Sequence, residues 1–137
     1  MATEIFVNLP VKDLNRSKDF FGKLGFQFNV RYTNEERGFM IVSDTIFVML
    51  LVESYFKTFT KKEIANAAKI TEVTLCITVA SRKSVDQIVS SALNAGGTKS
   101  VDPLDNGWMY SRSFQDLDGH LWEILYTDES HSGEEKE

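Results

Sequence analysis

Near the C-terminal end of the chain, the run "FQDLDGHLWEILYTDE" (114–129) sets one carboxylate, Glu123, between Trp122 and Ile124 in a stretch that otherwise reads as a buried strand. On a two-residue alternation Leu121, Glu123 and Leu125 share one face, while Trp122, Ile124 and Tyr126 share the other. Burying a lone carboxylate is costly, so Glu123 needs a hydrogen-bond donor, a counter-charge or a cation. Three chemistries are open to it. It could pair with Arg112, Tyr110 or Arg31, act as a general base with a pKa raised by desolvation, or ligate a metal ion.

Other side chains could join it. Arg112 in "WMYSRSF" alternates with Trp108, Tyr110 and Phe114, an aromatic and guanidinium face suited to a planar or anionic ligand. Trp108 and Tyr110 also lie beside a "DNG" turn (105–107), where they would form a mobile pocket rim. Asn8 shares a strand face with Phe6 and offers an amide donor. Cys76 in "VTLCITV" alternates with Thr74 and could face a cavity, but no histidine near it in sequence would activate it, so it reads as a silent core thiol. His120, opposite Glu123 in alternation and next to Gly119, reads as a turn or surface histidine, and His131 as an inert residue of a polar tail. The chain has no nucleophile motif, no glycine-rich phosphate loop and no CxxC or HExxH pattern.

The elements that must position these residues repeat. "IFVNLPV" (5–11) reads as a strand and "NRSKDFFGKLGF" (15–26) as a helix stopped at Gly25; "QFNVRYT", "GFMIVS" and "TIFVMLLV" follow as strands. "YFKTFTKKEIANAAK" (55–69) is a connector in which Thr60 and Glu63 have capping-box spacing. "EVTLCITV" (72–79) is a strand again. Ser84 and Gln87 have capping-box spacing at the start of a helix whose apolar stripe is Val85, Ile88, Val89, Ala92 and Leu93, ended by Gly96 and Gly97. "TKSVDP", "GWMYSRSFQD" and "HLWEILYT" complete the second half as strands, with "LDG" (117–119) as a turn. The expected class is α+β, with two tandem βαβββ modules at 4–54 and 72–127 joined by a connector at 55–71. Side by side they would form a curved mixed sheet with a concave cavity.

At 137 residues, 42% of them apolar, the chain can bury one domain's core without disulfides or metal ions. Its one cysteine is compatible with a reducing compartment. No apolar run approaches the ~20 residues of a membrane span, so a cytoplasmic location is expected. Of the net charge of −5, the tail from Asp128 to Glu137 carries −4, which leaves a nearly neutral body with no basic stripe for nucleic acid. The tail (128–137) reads as acidic and disordered.

"NLPVKDLNRSKDFFGKLGF" and "RSFQDLDGHLWEILY" resemble the two signatures of the vicinal oxygen chelate superfamily, which includes lactoylglutathione lyase (glyoxalase I), extradiol dioxygenases, and the bleomycin and fosfomycin resistance proteins. The resemblance spans roughly residues 4–127. In metal-using members it implies four ligands around a divalent ion, and by position these fall on Phe6, Met49, Thr74 and Glu123. Phe6 cannot ligate, and Met49 and Thr74 suit a hard or borderline ion poorly. A divalent metal is therefore not expected, and no other cofactor is implied.

Two functions follow from different classes. One is a protein that binds a small organic ligand in an aromatic cavity, as in the bleomycin-resistance branch, with Phe6, Asn8, Met49, Thr74, Trp108, Tyr110 and Arg112 as contacts. The other is a lyase or isomerase of the lactoylglutathione lyase type with Glu123 as catalytic base and Arg112 or Asn8 as electrophile. A non-catalytic interaction module is a third reading. The resemblance also implies a homodimer.

Overall fold

The computed structural model describes residues 2–128, so the acidic end from Glu129, with His131, lies outside the described residues. Two compact units meet in sequence at Asn66 and Ala67. The first contains β1 (Ile5–Val11), α1 (Leu14–Lys23), β2 (Gln27–Phe28), β3 (Arg37–Ile41), β4 (Ile46–Val52) and a short helix α2 (Glu53–Phe56). The second contains β5 (Thr74–Thr78), α3 (Arg82–Asn94), β6 (Thr98–Lys99), β7 (Leu104–Asp105), β8 (Met109–Gln115) and β9 (Leu121–Thr127). The sheets run β1-β4-β3-β2 and β5-β9-β8-β6, with β7 added beside β8. Each sheet is mixed: its first and last strands are parallel and its remaining pairs antiparallel. The fold is α+β, built from two tandem modules of the order that the sequence suggests, βαβββ in the first and with one more short strand in the second.

Each module closes over its own helix. Asp13 caps α1 by accepting from the Arg16 amide at 3.2 Å, and the helix buries Leu14, Phe20 and Phe21 on the side of β3 and β4. The same face holds the buried Leu9, Val11, Met40, Val48 and Leu50. In the second module α3 buries Val85, Val89 and Ala92, and packs on β8 and β9. There Phe114 and Trp122 stack with ring centroids 6.4 Å apart. Gly25 and Gly96 end the two helices with positive φ. Among the described residues, no helix is long and apolar enough to cross a membrane.

Four expected elements differ. The strand 27–33 stops after Phe28 because Asn29 turns the chain: its Oδ1 accepts from the Arg31 amide and opens a 3-10 turn over Val30–Tyr32. Ser81, not Ser84, caps α3, accepting from the Ser84 amide at 3.0 Å, so Ser84 is already inside the helix. Thr60 opens no helix; its hydroxyl accepts from the Lys62 amide in a local turn, and the helical turns lie before it, in α2 and the 3-10 turn Lys57–Phe59. "TKSVDP" pairs only through Thr98 and Lys99, and β7 supplies a separate pairing at Leu104 and Asp105.

Gly119 ties the β8–β9 turn to the segment entering the second unit. Its φ is 91°, and a Cβ there would sit 2.7 Å from the Ala67 carbonyl oxygen and 2.8 Å from the Ala68 Cα. Gly22 is the contrasting case, helical and with nothing within 4 Å of an added Cβ. In urea unfolding, Gly119→Ala is expected to cost about 2 kcal/mol or more, whereas Gly22→Ala should stabilise by about 0.5–1 kcal/mol. Equal effects of the two substitutions would contradict this account.

Candidate functional site

The strand registers place the candidate residues in rows. On the face of the first sheet opposite α1, β1, β4 and β3 align Phe6, Phe47 and Ile41 in one row, Asn8, Met49 and Phe39 in the next, and Pro10, Leu51 and Arg37 in a third. On the face of the second sheet opposite α3, β5, β9 and β8 align Thr74, Leu121 and Gln115, then Cys76, Glu123 and Ser113, then Thr78, Leu125 and Ser111. The two sets match position for position. Phe6 answers Thr74, Asn8 answers Cys76, and Met49 answers Glu123.

The chemistry of the two faces has diverged. In the first module Phe6, Phe39 and Phe47 form a closed trio, with centroids 5.6, 5.0 and 5.1 Å apart, and Tyr32 adds a ring 6.0 Å from Phe39. Phe6 and Tyr32 remain 46% and 47% exposed, a large apolar area left in contact with solvent. Asn8, exposed, lies in the row beside them. The second module presents hydroxyls, a thiol and a carboxylate in place of the rings.

Glu123 is half-buried, and its partner is Cys76, the neighbour across the β5–β9 pair. The thiol donates a hydrogen bond to the Glu123 carboxylate. Partial burial, that hydrogen bond and the nearby negative charge push the Cys76 pKa from 9.0 up to about 11. Cys76 is exposed on this face and not in the core, contrary to the expectation. The fully buried carboxylate of the segment is Asp116, only 6% exposed. It accepts from the Trp122 indole N–H at 2.9 Å and from the amides of Asp118 and His120 at 2.9 and 3.0 Å. Burial raises its pKa, and these donors, with the charge of His120, oppose the rise. An acidic residue opening a β-turn was the available signal for it.

Tyr110 and Arg112 are on the other face. Arg112 pairs with Ile124 in register, and both side chains reach α3, where the Tyr110 hydroxyl and an Arg112 Nη donate to the same Asp86 oxygen at 2.6 and 3.0 Å. Those bonds hold the Asp86 carboxyl below its usual range, the Tyr110 bond first. Arg82 caps the cluster, bridging to Asp105 and lying 4.4 Å over the Tyr110 ring. The expected partnership of Glu123 with Arg112 or Tyr110 is therefore overturned, since the pleat sends them to opposite sides of the sheet. Trp108 follows the β7–β8 turn, half-buried, and its carbonyl accepts from the Asp128 amide. The turn is latched to α3 through Asp105.

Four positions bear on a metal ion, and their donors do not suit one. Phe6 offers a phenyl ring, Met49 a thioether and Thr74 a neutral hydroxyl, while the single carboxylate, Glu123, already accepts from a thiol. Among the described residues no three His, Cys, Asp or Glu side chains cluster as metal ligands would. Elsewhere in the first module an open hollow of about 660 Å³ is lined by Asn15, Lys18, Thr33, Asn34, Glu35 and Glu36, a polar surface distinct in chemistry from the aromatic face.

The Cys76–Glu123 contact makes a kinetic prediction. With its pKa near 11 in place of 9.0, Cys76 should react with iodoacetamide at pH 8 about 100-fold more slowly than an unperturbed thiol. Glu123→Gln should speed alkylation without restoring the full rate, because burial is the larger cause. The unfolded thiol ionises first, so stability falls as pH rises from 9.0 towards 11. An unchanged alkylation rate in the variant would dissolve the pairing.

A family described as bleomycin resistance protein-like N-terminal matches residues 3–42. No curated protein matches the chain significantly. Among solved structures, a hypothetical protein from S. aureus is similar at a TM-score of 0.77 and 27% identity, over 92% of this chain and 94% of that one. A glyoxalase/bleomycin resistance protein/dioxygenase family enzyme from Burkholderia phytofirmans PsJN reaches the same TM-score at 17% identity, over 92% and 99%. The fosfomycin resistance protein FosX from Mesorhizobium loti gives 0.68 at 14%, over 96% and 98%. The last two likenesses are of fold alone. The matched N-terminal stretch and an architecture shared over more than nine-tenths of the chain give it the fold of the glyoxalase/bleomycin resistance proteins.

Proposed function

We propose that the chain binds a small organic ligand on the aromatic face of its first module, without a divalent metal. The observation that carries this reading is the Phe6–Phe39–Phe47 trio, extended by Tyr32 and left partly exposed on a sheet face beside the amide of Asn8. Stacked and edge-on rings accept a flat apolar ligand at little ordering cost, and one amide fixes its orientation. Met49, at the centre of the middle row, adds a polarizable, adaptable contact.

The alternative, a lyase of the lactoylglutathione lyase type with Glu123 as base, loses one of its two candidate electrophiles. Arg112 faces α3 and is committed to Asp86. Glu123 serves instead as acceptor for Cys76, and Thr74 lies two residues along the same exposed strand face.

The binding protein is proposed to be a cytoplasmic homodimer. An exposed thiol with no second cysteine to pair with favours a reducing compartment. Ile5 and Ile46, paired in register and both exposed at one end of the β1–β4 pair, supply apolar surface that a second copy would cover.

Two measurements test this function. The neutral bicyclic amide 1-naphthamide should bind the EDTA-treated protein and the untreated protein alike, with Phe6→Ala or Phe47→Ala weakening binding about 3- to 10-fold in calorimetric titration. Binding that disappears on chelation, or that ignores both substitutions, contradicts the reading. Light scattering should return twice the chain mass of 15.6 kDa, and a monomer would remove the dimer from it.

A further inference from the structure

Arg37 ends the aromatic face on a different chemistry. It shares the outward side of β3 with Phe39 and Ile41, while Gly38 and Met40 turn to the core. Its Nε donates to the Tyr32 carbonyl at 3.0 Å, and one Nη approaches the Tyr55 hydroxyl at 3.5 Å. Both acceptors are neutral. No carboxylate among the described residues lies within 4.0 Å of the guanidinium. Glu35 and Glu36 precede it directly, yet neither pairs with it; Asn34 instead gathers the amides of Glu36 and Arg37.

The contrast with the second module is sharp. Arg82 and Arg112 each have an aspartate partner, although the Arg82 side chain is well exposed. Arg37 is half-buried, pairs in register with Leu51, stands two residues from Phe39 on the same strand face, carries a permanent charge, and keeps guanidinium N–H groups unused. A half-buried cation with only neutral acceptors is short of an anion.

We infer that Arg37 is the anion-binding group of the ligand face, and that the ligand is an aromatic carboxylate whose ring lies over Phe39 and its neighbours while the carboxylate meets the guanidinium. This rests on the aromatic-face reading above and narrows its ligand class. The spacing suits it: Arg37 is two residues from Phe39 along one strand, about 7 Å, a distance that a bicyclic ring bearing a carboxylate spans. A guanidinium fork matches a carboxylate with two parallel hydrogen bonds, whereas an uncharged amide gains no charge assistance from it.

The test compares 1-naphthoate with its neutral isostere 1-naphthamide on the full chain at pH 7.5, by calorimetric titration. Naphthoate should bind about 10-fold more tightly. Arg37→Met should abolish that ratio while leaving naphthamide affinity in place, and Arg37→Lys should keep part of it. Phe6→Ala should weaken both ligands together. If Arg37 only holds the Tyr32 turn, Arg37→Met will weaken both ligands and preserve their ratio, which overturns the inference. Equal affinities in the wild-type protein overturn it too and leave the aromatic face standing. Binding of neither compound overturns the inference together with the reading beneath it.

Discussion

The constraint on which the rest of the structure depends is the parallel pairing of the first and last strands of each module, β1 with β4 and β5 with β9. A parallel pair cannot be closed by a tight hairpin, so the chain between must travel out and back. In both modules it does so through one helix and antiparallel strands, β2 and β3 in the first and β6, β7 and β8 in the second. The helix covers one face of the sheet, and the alternation of side chains sends every second residue to the other. Once that register is set, the identity of the outward face is decided residue by residue: Phe6, Asn8, Met49 and Phe39 in one module, Thr74, Cys76, Glu123 and Ser113 in the other.

Because the registers coincide, substitutions on the outward faces leave the cores alone. The inner faces have stayed apolar and closely packed, with Met40, Leu50, Phe114 and Ile124 fully buried. The outer faces share almost no chemistry. Where the first module keeps three phenyl rings in mutual contact, the second keeps a carboxylate, a thiol and hydroxyls. In the first module a phenyl ring and a thioether, Phe6 and Met49, stand where the second has a hydroxyl and a carboxylate, Thr74 and Glu123. What the scaffold still positions is area and shape.

Much of this was legible in the sequence because period-two and helical patterns are strong where one face is fully buried. The repeat, the two helices and the longer strands followed from alternation and helical spacing, while Phe6, Met49, Thr74 and Glu123 were singled out by position from the resemblance. The failures were of two kinds. Local side-chain hydrogen bonds overrode pattern at Asn29, Thr60 and Ser81, where an oxygen competing for a backbone amide turned the chain or started a helix early. Pairing across space was invisible: alternation put Tyr110 and Arg112 on one face of β8, but only the register with β9 and the position of α3 reveal that it is the face away from Glu123. Phe39, Phe47 and Arg37 were passed over for the same reason, since nothing in "RGFMIVS" or "TIFVMLLV" says which neighbours their rings and charge will meet.

The carboxylates near the C-terminal end show how burial and partnership separate. Asp116 can be wholly buried because a β-turn brings two amides and an indole N–H to it, so its desolvation is offset by groups that the backbone itself supplies. Glu123, in mid-strand, has no such turn, and its backbone neighbours are consumed by the ladder. It therefore stays half-exposed and takes the weak donor that the register offers, the Cys76 thiol. Arg37 is likewise half-buried on an outward face, and its acceptors, the Tyr32 carbonyl and the Tyr55 hydroxyl, are neutral. Glu123 has its donor within the chain, whereas Arg37 has, among the described residues, no carboxylate within 4.0 Å.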